Sequence, residues 1–332
     1  MNSQYKSILF DVLKSAKAKD YAGYSKYDAL NSPFLSKITF GNKWMRLLIT
    51  QAIMRNPINL RPLFGVKKSR NPKGIALFAR AYLFLYQQTC DDEYLHEAER
   101  LLQWLLENTS VNRNNLCWGY NYIWQNTIFL QDSFEPNVVV TVFVGETLIH
   151  AYRVTGNSEY LECAISIGNF ILHDVPVLFD SGDERAIAYV LRDVDAIVLN
   201  NNVMAGAFLI KLWKETNIDE MRAVAVKLLN FTCNKKTEYD AWFYTYPKGK
   251  SPIMHDNYHT GGILDGFIEF FEETSDDRYM HVYWSGLKYY RKNLFEPDGA
   301  PRWMNHRKTP YDIHGSSQGI ISFIKAGRHK LE

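Results

Sequence analysis

Cysteine is scarce in this 332-residue chain: Cys90, Cys117, Cys163 and Cys233 lie far apart and no two form a CxxC pair. That spacing argues against a zinc ribbon and a disulfide framework, and it fits a reducing compartment. Proline (11) and glycine (19) are also few, which excludes collagen-like and low-complexity classes. Neither sign of charge is in excess, with 38 basic against 36 acidic residues and no long run of either. Composition therefore nominates neither nucleic acid nor an anionic membrane as partner, and points to a small or neutral ligand. There is no run of about 18 apolar residues, and the stretch MNSQYKSILFDVLKSAKAKDY lacks an apolar core followed by a small-residue cleavage site. The expectation is a cytoplasmic protein without membrane insertion. P-loop, GxGxxG and HExxH motifs are missing, so no cofactor is expected. His255 and His259 have an i,i+4 spacing that can hold zinc, but without the HExxH context no metal is expected.

What the chain has is a large apolar fraction, 46%, and an unusual aromatic content of 14%. A chain of this length buries most of its apolar surface without disulfides. Many of its rings stand between the apolar periodic segments, where flat faces can stack on sugars or bases or can plug the ends of a helical core.

The sequence repeats itself. Thr89-Cys-Asp-Asp-Glu-Tyr-Leu95, Thr155-Gly-Asn-Ser-Glu-Tyr-Leu161, Thr216-Asn-Ile-Asp-Glu-Met221 and Thr274-Ser-Asp-Asp-Arg-Tyr-Met280 recur at spacings of 66, 61 and 58 residues. Each divides two patterns with apolar residues at helical spacing, as a turn inside a helical hairpin would. Between hairpins run aromatic, strand-like links: Cys117-Trp-Gly-Tyr-Asn-Tyr122, Ala186-Ile-Ala-Tyr-Val-Leu191 and Ala241-Trp-Phe-Tyr-Thr-Tyr246. Asparagine heads the helix after each link, at Asn137, Asn200 to Asn202 and Asn257, with a small residue four positions on at Thr141, Gly206 and Gly261. Asparagine can cap orphan amides, and a small residue lets helices approach closely. His314-Gly-Ser-Ser-Gln-Gly319 reads as a truncated last copy.

Helices are predicted over 4–18, 42–55, 72–88, 92–108, 138–154, 158–173, 201–215, 218–233, 257–273, 276–293 and 315–326. Five to six hairpins of this kind can curl until the last meets the first, which predicts an all-α (α/α)6 toroid with inner and outer layers. Links of about 25 residues argue against a tetratricopeptide superhelix, whose units are near 34 residues. The whole chain, 1–332, reads as one domain. Residues 1–70 form N-terminal helices and a substrate-side loop, and 71–332 form the repeated hairpins.

In a toroid, the links and inner-helix N-termini gather at one end, where helix dipoles favour anionic groups. The densest polar cluster there is Ser251 to Gly262. In it Asp256 is a candidate general acid or base, His255 and His259 could tune it, and Tyr258 could line a sugar. The alternative is that Asp256 only caps a helix and His259 is a hydrogen-bonded core residue. Asp132 and Glu135 occupy an earlier link, and Arg192, Asp193 and Asp195 the one between; opposed carboxylates suit glycosidic hydrolysis. Further candidates for substrate binding are Tyr24, Tyr27, Asp28, Trp118, Tyr120, Trp124, Trp242, Tyr244, Trp303 and His306, all of which could equally be structural.

With its Thr-Gly-Asn-Ser-Glu-Tyr-Leu turns, Asn-headed helices and Asp256-Asn-Tyr-His-Thr-Gly261 segment, the chain resembles the six-hairpin glycosidase-like superfamily. It also resembles helical-toroid proteins found with bacterial polysaccharide-biosynthesis genes, which share segments like Tyr24-Ser-Lys-Tyr-Asp-Ala-Leu-Asn-Ser-Pro33. The resemblance implies an oligo- or polysaccharide as ligand and leaves three activities open. One is a glycoside hydrolase using Asp256 with Asp132, Glu135 or Asp193. Another is a uronate lyase or C5-epimerase in which Tyr258 or His259 handles a proton next to a carboxylate neutralised by Arg192, Lys248 or Arg302. The last is a non-catalytic glycan-binding subunit. For the unsaturated-uronide hydrolases the resemblance implies a single Asp acting as acid and base, a position Asp256 or Asp193 could take.

Overall fold

The structure is a computed structural model that describes residues 3–111 and 113–329. It forms two compact units, Met1–Tyr160 and Leu161–Glu332. In the first, α1 (Ser3–Ala18), α2 (Pro33–Lys37) and α3 (Lys43–Arg55) precede the hairpin α4 (Pro72–Thr89) and α5 (Asp92–Glu107). A short β-ribbon of β1 (Trp124–Gln125) and β2 (Leu130–Gln131) leads into α6 (Val138–Thr155), which packs on α4. Helix α7 (Ser158–Asn169) crosses the unit boundary and ends in one π-helical turn, Phe170–Asp174.

The second unit continues with the hairpin β3 (Val177–Ser181) and β4 (Glu184–Ile187), then β5 (Ile197–Val198), α8 (Leu199–Thr216) and α9 (Asp219–Asn234). After β6 (Thr245–Tyr246) come α10 (Asn257–Thr274), α11 (Met280–Asn293) and α12 (Ile313–Arg328). Helix α10 packs on α8 and on α12, making an inner row, while α9 and α11 back α8 and α10 as hairpin partners. The eleven predicted helices correspond to the eleven long ones among the described residues. The reading missed α2, a five-residue helix capped by Ser32 and opened by Pro33, because one turn and a half shows no periodicity. It also began α11 four residues early. There Asp276 folds back on the main-chain N–H of Arg278 and delays the helix to Met280.

The hairpin turns share one construction. Thr89, Thr155, Thr216 and Thr274 each donate their hydroxyl to the carbonyl four residues back, at 2.6–2.8 Å. The same oxygen then accepts the N–H two residues on. The residue between, Cys90, Gly156, Asn217 or Ser275, adopts a left-handed conformation, with φ between 55° and 72°. A sequence argument expects Gly or Asn there; Cys90 and Ser275 take the same conformation against their intrinsic preference because the threonine clasps both sides.

The inner helices are headed as their sequences imply. Asn137 caps α6 by accepting the N–H of Val140. Asn201 and Asn202 tie the head of α8 to the preceding link through Ala188 and Ile187. Asn257 bonds the carbonyl of Leu294 and the hydroxyl of Tyr290. The small residues allow close approach: a Cβ at Gly206 would stand 3.1 Å from the carbonyl oxygen of Ala225 in α9, and one at Gly261 would stand 2.3 Å from Cγ of Gln318 in α12.

Candidate active site

In the second unit the heads of α8, α10 and α12 converge. β5 pairs with β6, the segment just before α8 thereby joining the link that leads to α10. Asp256 bridges Met304, and His255 accepts from the N–H of Asn305, so the link before α12 closes over the head of α10. The result is a small recess lined by Asp256, Asn257, Tyr258, Arg302, Trp303 and Asp312.

At its centre Asp256, only 3% exposed, caps α10. Its Oδ2 accepts the main-chain N–H of His259 at 3.3 Å and meets the imidazole Nδ1 of the same residue at 2.7 Å. The sequence left open whether Asp256 was a cap or a catalytic partner; one oxygen serves both contacts. In a neutral ring, a carboxylate at Nδ1 places the proton there and leaves the lone pair on Nε2. Nε2 of His259 has no hydrogen-bond partner among the described residues, and the ring is half-buried. Tyr244 and Tyr258 lie against it at ring-centroid distances of 4.4 and 4.6 Å.

The head of α12 repeats the device. Asp312 caps it through the N–H of His314 and meets Nδ1 of His314 at 2.9 Å. Tyr258 stands between the two pairs, 5.3 Å from the His314 ring. Sequence reasoning noted the His314 segment as a repeat copy and passed over Asp312 and His314 as site residues. The usable signal was the acid a few residues ahead of a histidine at a helix start, Asp256/His259 and Asp312/His314.

Of the predicted residues, the structure brings together Asp256, Tyr258, His259, Tyr244 and Trp303. Arg302 lines the same recess, but its guanidinium is committed to Glu296 at 2.7 Å and to the carbonyl of Asn305. His306 is exposed and bonds Asn305. Asp193 and Arg192 lie exposed on the link before β5, and Asp195 pairs with Lys250 there.

Four expectations are corrected. His255 is fully buried, with Nδ1 on the carbonyl of Trp242 at 2.8 Å and Nε2 on the hydroxyl of Tyr239 at 3.0 Å; burial pushes its pKa down, and it holds the link rather than a ligand. Trp242 and Trp118 are also fully buried. Their indole N–H groups donate to Thr232 and Leu105, near the ends of α9 and α5, so each staples its link to the preceding outer helix. Asp28 is buried and paired with Arg61 at 2.6 Å. No face of these four side chains is left for a sugar.

In the first unit, the loop around Tyr27 is sewn to the first link through Asn31 and Asn121. This sets Tyr27 against Trp124 at 5.8 Å, nearly parallel, and Tyr120 against Trp124 edge-on at 5.8 Å, with all three rings half-buried. Asp132 is exposed in a turn, where its N–H donates to the carboxylate of Glu135. Among the described residues, no three His, Cys, Asp or Glu side chains converge in a way that could hold a metal ion.

No protein-family model matches the sequence, and no curated protein matches it. Solved structures do. The cellobiose 2-epimerase from Bacillus thermoamylovorans B4167 superposes with a TM-score of 0.61 at 13% identity, over 91% of this chain and 87% of that one. A sugar epimerase from a ruminal bacterium gives 0.59 at 13% identity, over 93% and 90%. A glycoside hydrolase family 76 mannosidase from Bacteroides thetaiotaomicron VPI-5482 gives 0.59 at 13% identity, over 78% and 70%. These likenesses establish the fold, an (α/α)6 toroid.

Proposed function

We propose that this chain is a carbohydrate-active enzyme, and that its reaction is a proton transfer at a sugar carbon beside a carbonyl or carboxylate, with His259 as the base. One observation carries the reading: Asp256 meets Nδ1 of His259, and Nε2 of this ring, beside Tyr244 and Tyr258, has no hydrogen-bond partner among the described residues. Nε2 takes the proton, and the C–H electron pair moves into an enediolate. Return of a proton to the opposite face gives the epimer, and return to the neighbouring carbon gives a ketose. Expulsion of a group from the β carbon gives an unsaturated sugar. Tyr244, Tyr258 and Trp303 supply ring faces, and His314, held by Asp312, is a second imidazole across Tyr258 that can return the proton.

Two of the similar structures are named as sugar epimerases and one as a mannosidase, which supports a saccharide substrate. Hydrolysis needs a carboxylic acid facing the leaving oxygen. Asp256 and Asp312 are each taken up by a helix cap and an imidazole, which favours proton transfer. A place in bacterial polysaccharide metabolism is part of the same proposal.

Product analysis tests it. Mannose, cellobiose, mannobiose and uronate oligosaccharides are incubated with the protein, and products are followed by chromatography, reducing-end assay and ultraviolet absorbance. The expected result is an isomer of equal mass or an absorbing double bond, lost in His259→Gln. A new reducing end without either product, or no turnover of any sugar, would contradict it.

A further inference from the structure

The near-neutral balance of the whole chain conceals an uneven distribution. From Ala29 to Cys90 there are ten Lys and Arg and no Asp or Glu, so all 36 acidic residues lie elsewhere. Within this stretch α2, α3 and the loop after α3 pack on a small core of Ala29, Leu35 and Ile53, backed by Ile38, Ile49, Leu60 and Phe64. That core consumes the inner face of α3 and leaves the outer one bare. Trp44 (68% exposed) and Leu48 (62%) stand one turn apart on it. Phe40, 92% exposed, is held out at the head of α3 in a left-handed turn, φ 48°, followed by Gly41 at φ 74°. Ile58 and Leu63 are exposed in the loop beyond. In the same stretch Lys37, Arg55, Lys67 and Lys68 are exposed, and none pairs with a carboxylate among the described residues; Lys68 stands over the ring of Tyr24 at 5.6 Å.

We propose that this face docks on an anionic membrane surface, with Phe40, Trp44 and Leu48 entering the headgroup boundary and the lysines and arginine meeting lipid phosphates. An aromatic and aliphatic ridge in an acid-free stretch with exposed cations is the composition of a segment that lies in a bilayer interface. A second copy of the chain fits less well, because a two-fold contact would press this acid-free surface against itself. Nucleic acid fits less well too: Phe40 and Trp44 could stack on a base, but Leu48, Ile58 and Leu63 beside them offer nothing that stacks or pairs with one. The docking is peripheral and involves no spanning segment; α6, apolar enough to cross a bilayer by length and composition, is mostly buried in its unit.

Flotation of the full chain with vesicles tests the proposal. Vesicles of phosphatidylglycerol and phosphatidylcholine are compared with phosphatidylcholine alone, at low and high salt. Binding is expected to be at least about tenfold tighter to the anionic vesicles and to weaken with salt. The variant Phe40→Ser, Trp44→Ser, Leu48→Ser is expected to lose about tenfold or more with an unchanged melting temperature, since all three side chains are exposed. Lys37→Gln, Lys67→Gln, Lys68→Gln is expected to flatten the salt dependence. Equal binding by wild type and both variants, or no flotation, overturns the proposal. So does a dimer in sedimentation that the Ser variant dissociates, or salt-sensitive DNA binding with no vesicle binding.

Discussion

His259 and Asp256 divide one task. The carboxylate caps a helix and orients an imidazole, whose other nitrogen has no hydrogen-bond partner among the described residues. The two roles separate by substitution. Asp256→Asn keeps an oxygen for the cap but cannot hold the charge that forms on His259, so turnover is expected to fall about 10²-fold or more while the melting temperature moves a few degrees. Asp256→Ala also removes the cap, adding a loss of about 1 kcal/mol in stability. Thermal scans beside steady-state rates check both. A second residue-scale prediction concerns His150 in α6. Its Nε2 meets Gln87, its Nδ1 is buried without a partner, and burial together with Arg80 and Arg153 pushes its pKa down to about 4. The unfolded chain, with an ordinary imidazole, takes up the proton first as pH falls. The stability held by neutral His150 is thus complete above about pH 6.5 and is lost progressively toward pH 4. His150→Gln is expected to flatten the melting temperature over that interval. Tryptophans mark the limit of a sequence reading at this scale. Trp118 and Trp242 sit on links exactly as sugar platforms would, and only the acceptors at the ends of α5 and α9 reveal them as staples.

Elements were the most legible level. Helix period and the recurring threonine turns placed the long helices to within a few residues, because both signals are local and repeated. The clasp of Thr89, Thr155, Thr216 and Thr274 explains why threonine recurs where the next residue varies. Cys90→Gly and Ser275→Gly relieve a left-handed conformation and are expected to stabilise by about 1 kcal/mol each, whereas Gly156→Ala costs a similar amount; denaturant midpoints measure all three. Packing between inner helices was not legible, since it depends on contacts remote in sequence. Glu269 in α10 joins Lys211 of α8, at 2.8 Å, to Lys325 of α12, and these two lysines hold its carboxyl low against the opposing effect of burial. Glu269→Gln removes the carboxylate that these two largely buried ammonium groups share, while Asp265 stays 3.4 Å from Lys325, with an expected loss of about 3 kcal/mol measurable by urea unfolding.

At the scale of the molecule, the repeats made the architecture readable before any coordinate, and the solved toroids agree with it. Chemistry was less readable. Asp256-Asn-Tyr-His259 drew notice as a polar cluster, but only folding shows that Asp312 and His314 form a matching pair beyond Tyr258. The segregation of charge was visible in the sequence all along and was hidden by averaging over the whole chain.

Solvent-deuterium incorporation is the most direct test of His259 as a proton-transferring base. Wild type and His259→Gln, matched for melting temperature, are incubated in heavy water with mannose, cellobiose and a uronate oligosaccharide, and the sugars are read by proton NMR. The account predicts loss of one C–H signal beside the carbonyl or carboxylate with the wild type and retention with the variant. Turnover with full retention of that hydrogen, or equal exchange by the variant, would contradict it.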